Sequence, residues 1–198
     1  MVSSNIQQAV EAVQAGLLVV YPTDTLYALG AQIFDVEAVQ KVFTIKHRPF
    51  SIPLPVAVAG VEAMKEIAVV NQDAKKIAQK FLPGKLTMIL PKKNVVSPIV
   101  SAQKSSIAVR IPDDETALKL LSLTGPLTVT SANIHHKKTP ETVKEIKDEL
   151  DAEEIAIYID NGRRRKSPST ILDLTQPIPT IIRSGAVTEN EITEALLS

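Results

Sequence analysis

The sequence predicts a mixed α/β fold, because aliphatic and β-branched runs alternate with segments of helical periodicity along the chain. Three late runs, "IAIYID", "STILDL" and "PTIIR", have no helical segment between them, which indicates that part of the sheet is antiparallel. We therefore expect one large, twisted sheet of mixed parallel and antiparallel strands with flanking helices. At 198 residues, the chain (1–198) is expected to form a single domain.

The first half of the chain is predicted to alternate helices and strands. Apolar residues at helical spacing predict a helix that ends before Gly16, and the aliphatic run at 17–21 predicts a buried strand. Asp35 and Asn71 are suited to cap the next two helices, the second of which runs through Lys80. The other strands predicted in this half lie at residues 53–59 and 86–90.

The second half continues the alternation and ends in a helix. Its strands are predicted at residues 107–111, 127–133 and in the three late runs. The Asp113-Asp114 pair can open a helix after the first of these strands. The Thr139-Pro140 pair predicts another helix, with the proline at the first helical position. Thr188 and Glu191 form a capping-box pattern for the last helix.

Composition excludes several classes of function. Lys+Arg 22 equals Asp+Glu 22, so no global field attracts the chain to nucleic acid or membrane. The absence of cysteine excludes disulfides, thiolate metal sites and a cysteine nucleophile. The start "MVSSNIQQ" lacks the basic and apolar regions of a signal peptide, and no run approaches the about 20 apolar residues of a membrane span. We expect a soluble, cytoplasmic protein without membrane contact.

Polar residues follow four of the predicted strands, at the edge where ligands of open α/β sheets collect. These side chains include Thr25, Arg110, Ser131, Asn133 and Arg183. Arg110 lies within an aliphatic strand, where its charge needs an anion or full hydrogen bonding. Arg110 and Arg183 together indicate a carboxylate or phosphate ligand, which a guanidinium can bind with paired hydrogen bonds. The alternative is that each arginine pairs with a structural Asp or Glu.

A third cationic element, "KHRPF", follows a predicted helix. Lys46, His47 and Arg48 are either cations that complement the helix C-terminus or the ligands of a polyphosphate. Prolines at 49, 53 and 55 stiffen this segment, which favours phosphate.

Three other patterns give weaker signals. "PGKLT" at 83–87 resembles the end of a Walker A loop, but Gln79 and Leu86 replace its first glycine and its Ser/Thr. His135 and His136 are adjacent and rarely bind one ion together, so no protein metal site is predicted. "RRRK" at 163–166 is either a solvated loop or a contact for triphosphate or RNA.

Seven motifs occur in the order and spacing of a known family: "YPTDTLYALGA", "KHRPFSIPLPV", "FLPGKLTMIL", "IAVRIPDD", "LTVTSANI", "SPSTILDLT" and "IIRSGAV". The chain resembles the YrdC/TsaC-like threonylcarbamoyl-AMP synthases from residue 5 to residue 187, in their short, single-domain form. The most specific part is the quartet Lys46, Arg48, Ser131 and Asn133. The resemblance implies a twisted α/β sheet with a deep, positively lined cavity.

The resemblance also implies an activity. L-threonine, bicarbonate and ATP would yield L-threonylcarbamoyl-adenylate and pyrophosphate, for transfer to tRNA by a separate threonylcarbamoyl transferase complex, with Mg²⁺ accompanying ATP. Matching positions imply that threonine is bound by Thr25, Arg110, Ser131 and Ser169. ATP would be bound by Lys46, Arg48, Ser106, Asn133 and Arg183, with Lys46 and Arg48 in the catalytic role. The resemblance leaves room for weak binding of tRNA or double-stranded RNA.

Several positions depart from the family pattern. Ile52 replaces an Asn or Lys, Ala57 a frequent histidine, Ala28 a glycine and Lys85 a proline. "SANIHHKKTPE" lacks the usual Ser-Gly after the asparagine, and Glu141 stands where a hydroxyl residue would contact ATP. Three alternatives stay open: a carbamoyl-adenylate-forming domain, an RNA-binding module without catalysis, and a nucleotide-binding paralogue without efficient synthesis.

Overall fold

The computed structural model describes residues 2–150, 152–164 and 168–197. Helices in these ranges are α1 (Val2–Gln14), α2 (Val36–Ile45), α3 (Val61–Ile67), α4 (Gln72–Phe81), α5 (Glu115–Thr124), α6 (Val143–Glu149) and α7 (Glu189–Leu197). Strands are β1 (Leu18–Pro22), β2 (Tyr27–Gly30), β3 (Val56–Ala57), β4 (Leu86–Pro91), β5 (Ser106–Arg110), β6 (Leu127–Thr128), β7 (Thr130–Ser131), β8 (Ile155–Tyr158), β9 (Thr170–Asp173) and β10 (Thr180–Arg183).

The mixed α/β class is confirmed, but the strands form two sheets rather than one large sheet. The four-stranded sheet has the order β7-β2-β1-β8, and the six-stranded sheet has the order β10-β9-β4-β5-β3-β6. Both contain parallel and antiparallel pairs, and the late strands β9 and β10 pair antiparallel as expected. The sheets separate between β6 and β7. There Thr128 Oγ1 donates to Leu29 O and accepts from Ala31 N, and Thr128 N donates to Ala31 O at 2.9 Å.

Most helix caps expected from the sequence are present. Asp35, Asn71 and Asp114 accept hydrogen bonds from backbone N–H groups at 3.0, 2.8 and 3.0 Å, at the start of α2, α4 and α5. Thr188 and Glu191 form the reciprocal capping box of α7. Among the residues described, no helix is both long and apolar enough to cross a membrane.

The remaining differences have local causes. The helix predicted from Pro140 begins at Val143, because Thr142 accepts from Glu145 N and is the N-cap. Strand β3 is shorter than the predicted 53–59, since the prolines of "PLP" cannot donate to a ladder. Helix α3 gives no capping signal, because its N-cap is Gly60 without a side-chain bond. Strand β2 was not predicted, because it is short and directly follows the hydroxyl-rich turn segment "PTDT".

Strand β1 is buried on both faces, as its aliphatic run predicts. Leu18 and Val20 pack into one hydrophobic core, which β2, α2, β4 and β5 share. Val19 and Tyr21 point to a second core, against α1 and α5. The turn that follows β1 is therefore fixed from both sides, and it carries the first residues of the candidate site.

Candidate functional site

Arg110, the last residue of β5, joins the two sheets. Its Nη1 donates to Thr25 Oγ1 at 2.9 Å, and its Nη2 donates to Asp24 Oδ1 at 2.6 Å and to Gly84 O at 3.2 Å. Only 6% of the Arg110 side chain and 7% of the Asp24 side chain are exposed. We call Arg110, Asp24 and Thr25 the arginine socket. The sequence left open whether Arg110 binds an anionic ligand or pairs with a structural acid, and the structure shows the acid partner Asp24.

The arginine socket contains polar atoms that lack partners. Arg110 Nε and Asp24 Oδ2 are both buried without a hydrogen bond among the described residues. Burial lowers the pKa of Arg110, Asp24 and Tyr21 oppose that change, and the charge of Arg183 adds to it. Because both N–H groups of Nη2 are used, Arg110 offers Nε and one Nη1 hydrogen to a ligand. Asp24 was not among the predicted site residues, although it is the one carboxylate of "PTDT".

Two turns build the arginine socket. Thr23 is fully buried, and its hydroxyl donates to Leu26 O at 2.7 Å and accepts from Leu26 N at 3.1 Å, which closes the turn before β2. Gly84 N donates to Ile111 O at 2.9 Å, and a Cβ at Gly84 would lie 2.5 Å from Phe81 O. Gly84 of "PGK" thus accepts a hydrogen bond from Arg110 through its backbone carbonyl. The interpretation that "PGKLT" is not a Walker A loop is unchanged.

Lys46 lies at the C-cap of α2 and is 1% exposed. Its Nζ donates to Ser131 O at 2.5 Å and Asn133 O at 2.6 Å, which are neutral carbonyls. Burial lowers its pKa to about 7, the charge of Arg48 adds to this effect, and Glu149 opposes it. Ser131 Oγ donates to Asn133 Oδ1 at 2.5 Å, so the predicted lysine, serine and asparagine form one network.

Arg48 is also bound by neutral groups. Its Nε donates to Ile52 O at 3.2 Å, and its Nη2 donates to Pro53 O at 2.8 Å. Burial lowers its pKa. Within the residues described, neither Lys46 nor Arg48 forms an ion pair with Asp or Glu. We call Lys46 and Arg48 the cation pair. Ile52, a departure from the family pattern, still positions Arg48 through its backbone.

Arg183 and Ser169 form a third group. Arg183 Nε and Nη2 donate to Ser169 O at 3.1 and 2.7 Å, and Nη2 also donates to Ser169 Oγ at 3.0 Å. Ser169 Oγ lies 3.0 Å from Thr87 Oγ1. A Cβ at Gly185 would lie 2.5 Å from three backbone atoms of residues 168–170, so only glycine allows this close approach. Arg183 lacks an acid partner within the part of the chain described.

Strand pairing brings the segment 131–133 close to the turn of the arginine socket. Ser131 is opposite Ala28 in the antiparallel pair of β7 and β2, and Ala132 N donates to Tyr27 O at 3.0 Å. The segment from Ser131 to Asn133 therefore runs beside the turn that carries Thr25. Arg183 is close enough to Arg110 to lower its pKa.

Ser106 is the exception among the predicted site residues. It lies at the first residue of β5, four positions before Arg110, which corresponds to about 13 Å along an extended strand. Its side chain makes no hydrogen bond to the other candidate residues in the described ranges. Its assignment to ATP stays a prediction.

The "RRRK" segment and Glu141 are in contact. Arg163 Nη1 lies 2.6 Å from Glu141 Oε2, and Arg164 Nη2 lies 2.9 Å from Asp114 Oδ2. Glu141 thus forms a partly exposed ion pair with Arg163. Arg165 and Lys166 lie outside the described residues.

The described residues include no group of three or more His, Asp and Glu side chains that could hold a metal ion.

Comparison with known proteins places the chain in a family. The family model Sua5_yciO_yrdC, described as Telomere recombination, matches residues 11–185. A putative threonylcarbamoyl-AMP synthase of Methanocaldococcus jannaschii is 43% identical over 173 residues, which are 87% of this chain and 81% of that protein. The threonylcarbamoyl-AMP synthase of Pyrococcus abyssi is 35% identical over 194 residues, or 96% of this chain.

A crystal structure of P. abyssi Sua5 complexed with L-threonine matches 96% of this chain with a TM-score of 0.91 and 35% identity. The chain spans 57% of the P. abyssi synthase and 56% of the crystallised chain. The match of fold, motif order and sequence shows that the chain belongs to the Sua5/YciO/YrdC family.

Proposed function

We propose that the chain is an L-threonylcarbamoyladenylate synthase, a nucleotidyltransferase that uses L-threonine, bicarbonate and ATP. The observation that supports this most is that the arginine socket and the cation pair differ in how their positive charge is compensated. The arginine socket contains its own acid, whereas the cation pair is bound only by carbonyls. A zwitterionic amino acid suits the first, and a triphosphate suits the second.

Threonine would bind at the arginine socket, with Ser131 and Ser169 as further contacts. Arg110 would donate to the carboxylate from Nε and Nη1, and the hydroxyl of Thr25 would contact the amino acid. A site that hydrogen-bonds a substrate hydroxyl rejects analogues that lack it more strongly than an apolar pocket does. Ala57 pairs in register with Arg110 and is fully buried, so the histidine frequent in the family has no equivalent at this position.

ATP would bind at the cation pair, with Asn133 and Arg183 as further contacts and with Ser106 retained as an expectation. Lys46 and Arg48 would neutralise charge on the departing pyrophosphate, which is the catalytic role that the resemblance gives them. Their carbonyl partners hold the two cations in place before ATP arrives. This preorganisation reduces the rearrangement needed when negative charge develops.

The reaction needs no nucleophile from the protein. The threonine amine bonds to the carbon of bicarbonate with overall loss of water and gives a carbamate. A carbamate oxygen then bonds to the α-phosphorus of ATP, and the bond to the β-phosphate bridging oxygen breaks, so pyrophosphate leaves with the electron pair. The protein supplies placement of the reactants and compensation of charge.

Mg²⁺ would enter with ATP and supply charge neutralisation on the phosphates. We place the enzyme in the cytoplasm, where its product would pass to a tRNA-modifying threonylcarbamoyl transferase complex. Contact with tRNA or double-stranded RNA would be weak, since the net charge of +0 gives no global attraction.

The test is an assay with ATP, Mg²⁺ and bicarbonate, in which threonine, serine or no amino acid is added and pyrophosphate and adenylate products are measured. We expect pyrophosphate release that depends on threonine. Release that is independent of the amino acid, or salt-sensitive RNA binding without any release, would contradict the proposal. Carbamoyl-adenylate formation from a carbamoyl donor would favour the carbamoyl-forming alternative.

A further inference from the structure

We propose that His135 contacts the β- and γ-phosphates of the bound nucleotide through its Nε2 atom. This inference rests on the proposed binding of ATP at the cation pair. It concerns a residue that the resemblance leaves without a role, because "SANIHH" replaces the Ser-Gly usual at this place.

The backbone brings His135 to the cation pair. His135 N donates to Lys46 O at 2.7 Å, so a backbone hydrogen bond holds the histidine next to the lysine. Asn133 Nδ2 donates to Ile134 O and Lys137 O, both at 2.9 Å, and this closes the loop around His135. The same asparagine accepts from Ser131, so the loop and the Lys46 network are one hydrogen-bonded unit.

The electrostatics agree with this placement. The pKa of His135 is lowered by desolvation first, and then by His136, Arg48 and Lys46. Both members of the cation pair therefore act on the imidazole. A phosphate that binds between them would meet the ring as well.

The imidazole has an unused polar atom. His135 Nε2 is enclosed and has no hydrogen-bond partner among the residues described. Buried polar atoms of native proteins are usually paired, so such an atom points to a missing ligand. The His136 ring lies beside the His135 ring, with 3.8 Å between centroids and 43° between the ring planes. A neutral imidazole protonated at Nε2 can donate to a phosphate oxygen.

The test compares His135→Leu with His136→Asn, since His136 is the exposed neighbour in the same loop and asparagine tolerates its positive φ of 69°. Calorimetric titration with a non-hydrolysable ATP analogue, pyrophosphate, AMP and threonine gives the affinity for each ligand. We expect His135→Leu to weaken the ATP analogue and pyrophosphate about tenfold, the scale of one charge-assisted hydrogen bond. The affinities of His135→Leu for AMP and threonine should change less than about twofold, as should the affinities of His136→Asn for all four ligands.

Wild-type affinity for pyrophosphate and the ATP analogue in His135→Leu would overturn the inference. An equal loss for AMP and threonine would also overturn it, since that result indicates a general structural role. Nitrogen NMR of the imidazole in the unmodified protein gives a second measurement: pyrophosphate should shift the His135 Nε2 resonance, and an unchanged resonance contradicts the contact. If pyrophosphate binding depends on His135 but no threonine-dependent turnover occurs, the proposed function fails while the phosphate contact stands.

Discussion

The arginine socket and the cation pair compensate buried positive charge in opposite ways. Arg110 is compensated by Asp24 at 2.6 Å inside the protein. Lys46 and Arg48 are compensated only by neutral carbonyl groups, and the pKa of each is lowered by burial. The first group contains its own counter-charge, whereas the second contains none, so an anionic ligand would favour the charged form of both cations.

The difference shows why a buried arginine by itself does not identify an anion site. Arg110 lies in the more apolar sequence, yet it already has a carboxylate partner. Arg48 looks like an ordinary surface cation at the end of a helix, yet it has no acid partner among the described residues. Desolvation is costly for both, and the partner determines which charge is available to a ligand.

The largest effect is expected on stability when the ion pair of the arginine socket is broken. Arg110→Met leaves Asp24 buried without a cation, which should lower the free energy of unfolding by about 3–5 kcal/mol. The matched variant Arg48→Met leaves only backbone carbonyls and should cost about 1 kcal/mol. Urea denaturation measures both. Equal losses would remove the distinction between the two regions.

The second-largest effect is expected on the free energy of unfolding, which should depend on pH through the titration of Lys46. Its pKa falls from 10.5 to about 7 on folding, so above pH 7 the folded state releases this proton while the unfolded state keeps it. Stability should therefore rise with pH through this range, by about 2–3 kcal/mol between pH 7 and pH 9 relative to Lys46→Met. Denaturation of both proteins at the two pH values provides the measurement. A parallel pH response would show that Lys46 does not titrate in this window.

A smaller effect is expected on nucleotide affinity. Arg48→Ala should weaken ATP binding by about 1.5–3 kcal/mol, the scale of one hydrogen bond to a charged group. Threonine affinity should stay unchanged, because Arg48 does not touch the arginine socket. Calorimetry with each ligand separates the two effects. Wild-type ATP affinity in this variant would exclude Arg48 from the triphosphate site.

The smallest effect is expected from Thr25→Val, which removes one hydroxyl and keeps the shape of the side chain. Threonine binding should weaken by about 1 kcal/mol, with ATP affinity unchanged. The same titrations measure it, with Thr193→Val on the exposed surface of α7 as a control. If ATP weakens as much as threonine, the two subsites are not separate.

The sequence predicted the elements whose signals are local. The caps at Asp35, Asn71 and Asp114 and the capping box at Thr188 are present because a side chain and a nearby N–H group determine each of them. The break between the two sheets lies next to Thr128, whose hydroxyl bonds to residues 97 and 99 positions earlier in sequence, and no local pattern encodes such contacts.

The candidate site also combines features that the sequence predicts with features that depend on long-range contacts. The choice of Lys46, Ser131 and Asn133 as site residues follows from motif order, and the structure joins these three residues in one hydrogen-bonded network. The pairing of Asp24 with Arg110 depends on the contact of two sheets, 86 residues apart, so the sequence offered only the acid and the arginine separately. The unpaired Nε2 of His135 depends on the packing of a loop and gave no signal in sequence.

The salt dependence of the two affinities tests the difference between the regions most directly. Calorimetry on the unmodified protein would measure ATP and threonine binding from about 0.05 M to about 0.5 M salt. The cation pair should lose ATP affinity by about tenfold or more, since its charges are not compensated within the protein. Threonine affinity at the arginine socket should change less than about twofold. Equal salt dependence for both ligands would contradict the assignment of a compensated and an uncompensated subsite.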